Sequence, residues 1–595
     1  MAAIIAALAG FLSATGCRSL TVSQYPAEGG LPVVARLPER GQLSFSWPTA
    51  TSSAELASAF FSLANDARRN GDPHSPDYFY QAAVHSWHCL PVETMSGPSW
   101  SRVYGIYHAS VAGLITEGQR HCRFNGRGQM IVHQPGGTLS IPFACLGLPW
   151  EPTDIRAALV VEPPTMTKLR NYHARDGFGV SVVAVKDRGT SSRGSERFFP
   201  PRAMFAATVV LRPSVDGAPA GGNVLEFYNP LNVSTIRIGG QGVALAGDIS
   251  APFEYRLRTG QRIGFLGFLN PGATEADDGL RFLEPYQPGK IPVIFIHGLL
   301  ADPSSWFDMA NDLRTQPWFN ERYQIWAFGY ATGKPPISAA ATLRNDCREA
   351  VALLDPQCGD AALRQMVLVG HSMGGLVSKM QVTYSEERIW SSVANIPFDS
   401  INADAQVRSV LAERFFFDPN PFVRRVVFIA TVHGGSSFAA RGIGRVSSAL
   451  VERSPQDEAV HAELVAANPN AFKEKFVRRM PTSVDLLEPQ DESLAAIRSL
   501  RVSSSVKLHS IIGTGRTLLL DGPGDGVVTV TSARHPGVES ECFVDATHTT
   551  ILHHPDTQSE VRRILLEHGT NISNPGADTI WETPARPEAI LRPGS

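Results

Sequence analysis

The chain has 595 residues, more than one ordinary domain holds, and 43% of them are hydrophobic, which supports real cores and excludes wholesale disorder. Lys and Arg number 53 against 56 Asp and Glu, for a net charge of −3, and no long basic run supplies an electrostatic footprint for nucleic acid. The charged fraction of 18% is low and compatible with work at a lipid surface.

The first element is an apolar run from Ala2 to Leu12, ending in Ser13-Ala14-Thr15-Gly16-Cys17. It is too short for a permanent spanning helix and has the form of a secretion-signal core. The small residues before Cys17 resemble a bacterial lipoprotein processing site, at which Cys17 would become the lipidated first residue. Two features depart from that pattern: no Lys or Arg precedes the run, and Ala14 stands where Leu is commoner. The expectation is a signal segment at 1–17 and an exported protein held peripherally at the cell envelope through Cys17. The remaining cysteines are Cys89, Cys122, Cys145, Cys347, Cys358 and Cys542, with no CxxC pair to suggest zinc. Export would allow them to pair, Cys347 with Cys358 being the nearest couple; buried free thiols are the other reading.

Residues 18–50 carry Pro and Gly without periodicity and read as a linker. From 51 to 120 the pattern is helical: Ala54, Leu56, Ala57, Phe60, Phe61 and Leu63 recur at helical spacing until Asn70-Gly71-Asp72-Pro73 breaks the run. A second helix is expected over Tyr78–Cys89 and a third over Trp100–Ile115. One such hairpin is too little for a solenoid, so its role is to pack on the next domain. Residues 121–287 alternate in short runs, such as Val180 to Val185 and Ala206 to Leu211, between Gly- and Pro-rich turns. They read as an antiparallel β domain, a sandwich being one form of it. From 288 to 568, apolar strands alternate with amphipathic helices, the pattern of a doubly wound, mostly parallel sheet covered on both faces. The fold class is therefore α/β, with a Pro-rich tail at 569–595.

Within this last domain, Gly370-His371-Ser372-Met373-Gly374-Gly375 fits G-x-S-x-G, with a buried strand before it (Met366 to Val369) and a helix after it. That context marks Ser372 as a nucleophile on a strained strand-to-helix turn, where larger side chains than glycine would clash. Ile291 to Ile296 is a second buried strand, running into His297-Gly298-Leu299-Leu300. On this fold the loop there and the residue after the nucleophile supply backbone N–H groups to an oxyanion, which assigns the donors to Leu299 and Met373. His297 precedes the nucleophile, against the order Ser, acid, His, and reads as a structural loop residue. For the acid, Asp525 between Gly524 and Gly526, directly before an apolar run, is chosen over Asp521. The alternative is that both only cap a turn. For the base, His548 follows the final strand (Glu541 to Val544) soonest. His553 and His554, before Pro555 and the closing helix, read as packing or capping residues.

Taken together, residues 288–568 resemble the α/β-hydrolase lipases and esterases, especially the branch similar to glycosylphosphatidylinositol inositol-deacylases and triacylglycerol lipases. The resemblance rests on His297-Gly298-Leu299, Gly370 to Gly375, Thr431-Val432-His433-Gly434-Gly435-Ser436 and Gly524-Asp525-Gly526-Val527-Val528. Val432 and Gly434 stand where the family has Pro and often Arg, a change that touches substrate fit more than chemistry. Residues 50–285 have no recognised counterpart. The resemblance implies hydrolysis of carboxylic esters through a Ser372-Asp525-His548 triad and an acyl-enzyme, with no cofactor or metal. Insertions at about 384–424, with Phe415-Phe416-Phe417 as a candidate apolar wall, and at 438–501 stand where such hydrolases place a lid. Peptidase and acyltransferase chemistry use the same machinery. A reading of a different class is an envelope lipoprotein that binds a partner and keeps a vestigial hydrolase domain. Acyl-chain length, head group and oligomeric state are not written in the sequence.

Overall fold

The computed structural model describes residues 48, 52–90, 98–148, 150–162, 166–188, 194–214, 222–259, 278–436, 455–518 and 522–570, all within one compact unit, Trp47–Ser595. The expected signal segment, Cys17, the linker up to 47 and the Pro-rich tail beyond Thr570 lie outside these residues, as does Asp521.

Three helices come first: α1 (Ser53–Asn70), α2 (Ser75–His88) and α3 (Pro98–Arg120). The Ser52 side chain caps the start of α1 by accepting the Glu55 N–H at 3.3 Å, and Gly71, at φ 67°, turns the chain left-handed to end it. The expected breaker is thus a C-terminal cap. The third helix runs five residues past the expected Ile115. Tyr104 and Tyr107 on α3 donate their hydroxyls to the carbonyls of Gly177 and Leu211 at 2.7 and 2.8 Å, and Trp87, Tyr104, Tyr107 and Phe178 pack ring on ring.

The helices pack on a seven-stranded sheet built from β1 (Phe124–Asn125), β2 (Gln129–Gln134), β3 (Gly137–Leu146), β4 (Ala157–Val160), β5 (Val180–Asp187), β6 (Arg202–Arg212) and β7 (Val224–Tyr228), in the order β1-β2-β3-β7-β6-β5-β4. Two expectations need correction here. The domain is one sheet flanked by short two-stranded pieces, not a sandwich, and β3 runs parallel to β7. The hydrophobic face of the sheet is covered by α2 and α3, so no second sheet of similar size is needed.

The second sheet comprises β8 (Gly279–Phe282), β9 (Ile291–Ile296), β10 (Tyr323–Gly329), β11 (Met366–His371), β12 (Val423–Ile429), β13 (Lys507–Gly513) and β14 (Ser540–Val544). Their order is β8-β10-β9-β11-β12-β13-β14, parallel throughout except for β8 on β10. Every residue of β9, β10 and β11 is buried, as a strand covered on both faces requires. Ile294, Ile296, Trp326, Phe328, Leu368 and Val426 face helices α6 (Pro336–Leu354) and α7 (Met373–Lys379). The intervening Val293, Phe295, Ile325, Val367 and Val427 face α5 (Phe307–Arg314) and α11 (Pro555–Thr570). This is a doubly wound α/β domain, and the last helix extends two residues past the expected boundary at 568.

The boundary at 288 is also corrected. Residues 279–282 were expected to close the β domain, but as β8 they form the antiparallel edge of the second sheet. The reason is aromatic packing: the Phe282 ring lies 4.4 Å from that of Trp326 on β10 and 5.1 Å from that of Phe198.

The insertion after Tyr384 contains α8 (Ala405–Phe415); the later one contains α9 (Pro455–Ala467) and α10 (Glu492–Ser499), with residues 437–454 outside those described. The two form one cap: Asn395 N–H donates to Ala471 O at 2.7 Å, and Lys473 N–H to Val393 O at 2.9 Å. Phe415 and Phe416 lie against Trp390 together with Phe398 and Phe472, and Phe417 lies under the Arg344 guanidinium. The triple phenylalanine builds the cap's core and is not a free apolar wall. Cys347 is buried in α6, Cys358 is exposed beyond its end, and the six described cysteines are all free thiols.

Phe282→Ala removes the ring that joins the two sheets. It is expected to lower stability by about 3–5 kcal/mol, seen as a drop in the denaturant midpoint.

Candidate active site

At the end of β11 the chain reverses into α7 through Ser372, whose backbone sits at φ 53°, ψ −122°. Such a conformation costs a non-glycine residue about 1–3 kcal/mol and persists only where its surroundings over-determine it. They do: Ser372 N–H donates to Ile429 O on β12 at 2.9 Å. A Cβ on Gly370 would lie 2.5 Å from Ser378 Oγ and 2.6 Å from Gly374 O, and a Cβ on Gly374 would strike the carbonyl oxygens of Ile296 and His297. Only glycine lets β11, α7 and the end of β9 meet this closely.

The loop after β14 brings the His548 ring to Ser372, with Nε2 3.0 Å from Oγ. On its other side Nδ1 lies 2.7 Å from Asp525 Oδ2, and His548 N–H also donates to Asp525 O at 2.9 Å. Asp525 is 2% exposed, and its other oxygen accepts the N–H groups of Val527 and Val528 at 2.9 and 2.7 Å. Burial alone would raise the Asp525 pKa; the His548 contact and the two amides outweigh it and hold the group below the ordinary carboxylate value. An ionised carboxylate only accepts, so Nδ1 of His548 carries the proton and Nε2 presents its lone pair to the Ser372 hydroxyl. An acceptor nitrogen at this distance from a hydroxyl is placed to remove its proton.

The loop after β9 lies directly over the serine: a Cβ on Gly298 would be 2.9 Å from Ser372 Cβ. Leu299 follows in that loop, and Met373 is the first residue of α7, where amide N–H groups have no partner inside the helix. His297 turns away from the serine. Its Nε2 accepts Tyr330 N–H at 3.2 Å, its Nδ1 lies 3.1 Å from Gly298 O, and its ring stacks on Tyr330. Burial brings it down to about 4, so it is neutral near pH 7. His553 lies against Asp308, and His554 Nδ1 accepts the Asp556 N–H at 3.3 Å at the start of α11.

Sequence reasoning passed over His371, Tyr330 and Thr332. His371 Nε2 lies 3.2 Å from His548 O, with the two rings 4.8 Å apart, so it holds the loop that carries His548. Burial first, and then the neighbouring His548, bring its pKa down to about 3. Its place inside the G-x-S-x-G run was the available signal. Tyr330 donates its hydroxyl to His297 O at 2.8 Å and Thr332 Oγ1 accepts Leu300 N–H at 3.3 Å, contacts between chain-distant loops that leave no local mark.

Residues 293–561 match the model of the alpha/beta hydrolase family. None of the curated proteins compared matches the chain. Among solved structures, the mature form of Bacillus licheniformis lipase BlEst2 is 18% identical, with a TM-score of 0.29, over 48% of this chain and 94% of its own. Staphylococcus hyicus lipase is 14% identical, with a TM-score of 0.32, over 48% of this chain and 98% of its own. EstA from Clostridium botulinum is 12% identical, with a TM-score of 0.30, over 49% of this chain and 89% of its own.

Because the folded pKa of Asp525 lies below the unfolded value of about 3.9, its ionisation stabilises the native state above that pH. The contribution is lost as pH falls through the lowered value. Asp525→Asn is therefore expected to melt below wild type at neutral pH, with the gap narrowing below about pH 4, as thermal melts across pH would record.

Proposed function

We propose that the protein, whose residues 293–561 match the model of the alpha/beta hydrolase family, is a serine hydrolase of carboxylic esters, with Ser372 as nucleophile, His548 as base and Asp525 as the acid that orients it. The observation that carries the reading is the unbroken hydrogen-bonded chain Ser372–His548–Asp525, at 3.0 and 2.7 Å. In the proposed first step Ser372 Oγ attacks the ester carbonyl carbon while its proton passes to His548 Nε2. The negative carbonyl oxygen is received by the N–H groups of Leu299 and Met373. Collapse of the tetrahedral adduct breaks the bond to the alkoxy oxygen, which takes the proton from His548 and leaves as the alcohol. Water then repeats the sequence on the acyl-serine and releases the acid. Asp525 stays ionised throughout and stabilises the imidazolium that forms at each step.

Ser372→Ala is expected to lose ester turnover by about 10⁴–10⁶ in kcat while melting as wild type does, because a buried hydroxyl replaced by hydrogen leaves the elbow intact. His548→Ala should stop labelling by a fluorophosphonate. The measurement is turnover across a chain-length series of esters with matching amides; substantial activity in either variant would sink the assignment.

We propose further that the protein is exported and anchored by lipid on Cys17, on the strength of the apolar run and small residues that precede it. Wild type is then expected in the membrane fraction with an acylated mature N-terminus, and Cys17→Ser to escape that processing. Mass spectrometry finding an unmodified N-terminus at another residue would reject the proposal.

A further inference from the structure

The β domain grips one face of helix α5. Asn171 Nδ2 and His173 Nε2 reach the buried Asp312 carboxylate at 3.0 and 2.6 Å, Asn311 Nδ2 donates to Asn171 O at 2.9 Å, and Ser250 Oγ donates to Asn311 Oδ1 at 3.0 Å. One turn earlier on α5, Asp308 Oδ1 accepts the main-chain N–H of Arg170 at 2.9 Å. The second oxygen of that carboxylate points the other way, where Oδ2 lies 2.9 Å from His553 Nδ1. Asp308 therefore stands between the β domain and the segment that carries His548. Burial works against its ionisation, yet the contacts of His553 and the Arg170 amide hold its pKa below the ordinary value, so it is an anion at neutral pH.

From His553 back to His548 the chain is tightly wound. His553 N–H donates to Thr550 O at 3.0 Å, Thr550 and Ile551 N–H both donate to Thr547 O at 3.1 and 3.0 Å, and Thr547 N–H donates to Thr550 Oγ1 at 3.1 Å. Ile551 and Leu552 are buried in the same apolar cluster as Phe307, Met309 and Ala310 of α5. A turn closed by so many internal bonds moves as a unit, so whatever fixes His553 fixes the ring five residues before it.

We propose that Asp308 and His553 form a latch through which the β domain sets the position of the His548 ring, making His553 a positioning residue for the base. The inference rests on the hydrolase reading above and assigns the otherwise unassigned β domain a part in it. The Ser372–His548 contact of 3.0 Å is at the length proton transfer requires. A displacement of the ring by about 1 Å costs up to 10²-fold in rate.

The test compares wild type with His553→Ala and His553→Asn, the Asn amide nitrogen standing where Nδ1 stood. His553 is about one-quarter exposed at its side chain; His553→Ala is expected to melt modestly below wild type, because buried Asp308 loses a partner, yet to stay folded at the assay temperature, and His553→Asn to melt as wild type does. In His553→Ala, kcat for a short-chain ester should fall about 10- to 100-fold with KM unchanged, fluorophosphonate labelling should slow in step, and the downfield proton resonance of the Asp525–His548 bond should broaden or shift. His553→Asn should restore all three. A labelled wild type with His553→Ala reacting equally fast and an unmoved resonance overturns the latch alone. Failure of the Asn variant to rescue likewise overturns it. A wild type that takes no label overturns the hydrolase reading, and the latch's role with it.

Discussion

The site depends on one backbone angle, the φ of 53° at Ser372. That angle turns the chain from strand to helix within a residue and leaves Oγ standing clear at the strand's end, where a loop can reach it. It is tolerated because three pieces of chain close on it: the Ile429 carbonyl from β12, the end of β9 against Gly374, and α7 beginning at the next residue. The same closeness puts the Gly298–Leu299 peptide over the serine and makes Met373 the first residue of a helix. The proposed nucleophile and oxyanion donors are thus consequences of one packing constraint. A side chain at Gly374 would undo all of them together.

Three histidines surround Ser372, and electrostatics separates their parts. His297 and His371 are buried, and burial outweighs the pull of Asp302 on the first and of Asp525 on the second, bringing them to about 4 and about 3. Each is spent on holding a loop by hydrogen bonds, one at the Tyr330 amide and one at the His548 carbonyl. His548 has an anion in direct hydrogen-bond contact, Asp525 at 2.7 Å, and that anion is kept ionised by two backbone amides. Proximity to the serine does not distinguish the proposed base. A neighbour able to stabilise the positive ring does.

What could be read in the sequence was whatever is written locally. The elbow was legible because G-x-S-x-G lies between an apolar strand and a helix, and the meeting of Asp525 and His548 with Ser372 because each follows a late strand of the sheet. The apolar runs of β9, β10 and β11 declared a sheet covered on both faces, since no alternation of polar residues interrupts them. Pairing partners were not legible. The strand Gly279–Phe282 is only four residues long, and its place on β10 is decided by Trp326 and Phe198, both more than forty residues away. The parallel step of β3 onto β7 is likewise a non-local choice, made once α2 and α3 cover one face of the sheet. The phenylalanines at 415–417 show the limit of composition: an aromatic run reads equally as a binding wall or a small core, and Trp390 decides for the core.

The seam between the two sheets carries a further consequence. An uncovered β10 would present an open edge of backbone N–H and C=O groups, a template for unwanted pairing. Strand β8 closes it with an antiparallel pair, and is itself held by Asp346 of α6, which accepts the Leu280 N–H at 2.8 Å. Arg197, next to Phe198, pairs with Glu349 on the same helix. The β domain thus meets the second sheet on two sides: through β8 and α6 at this edge, and through α5 beneath the loop of His548. An element bound at both places cannot shift against one without loading the other. Its docking is therefore mechanically part of the doubly wound domain, and cutting the chain at the change of texture near residue 288 would remove a strand of that domain's sheet along with it.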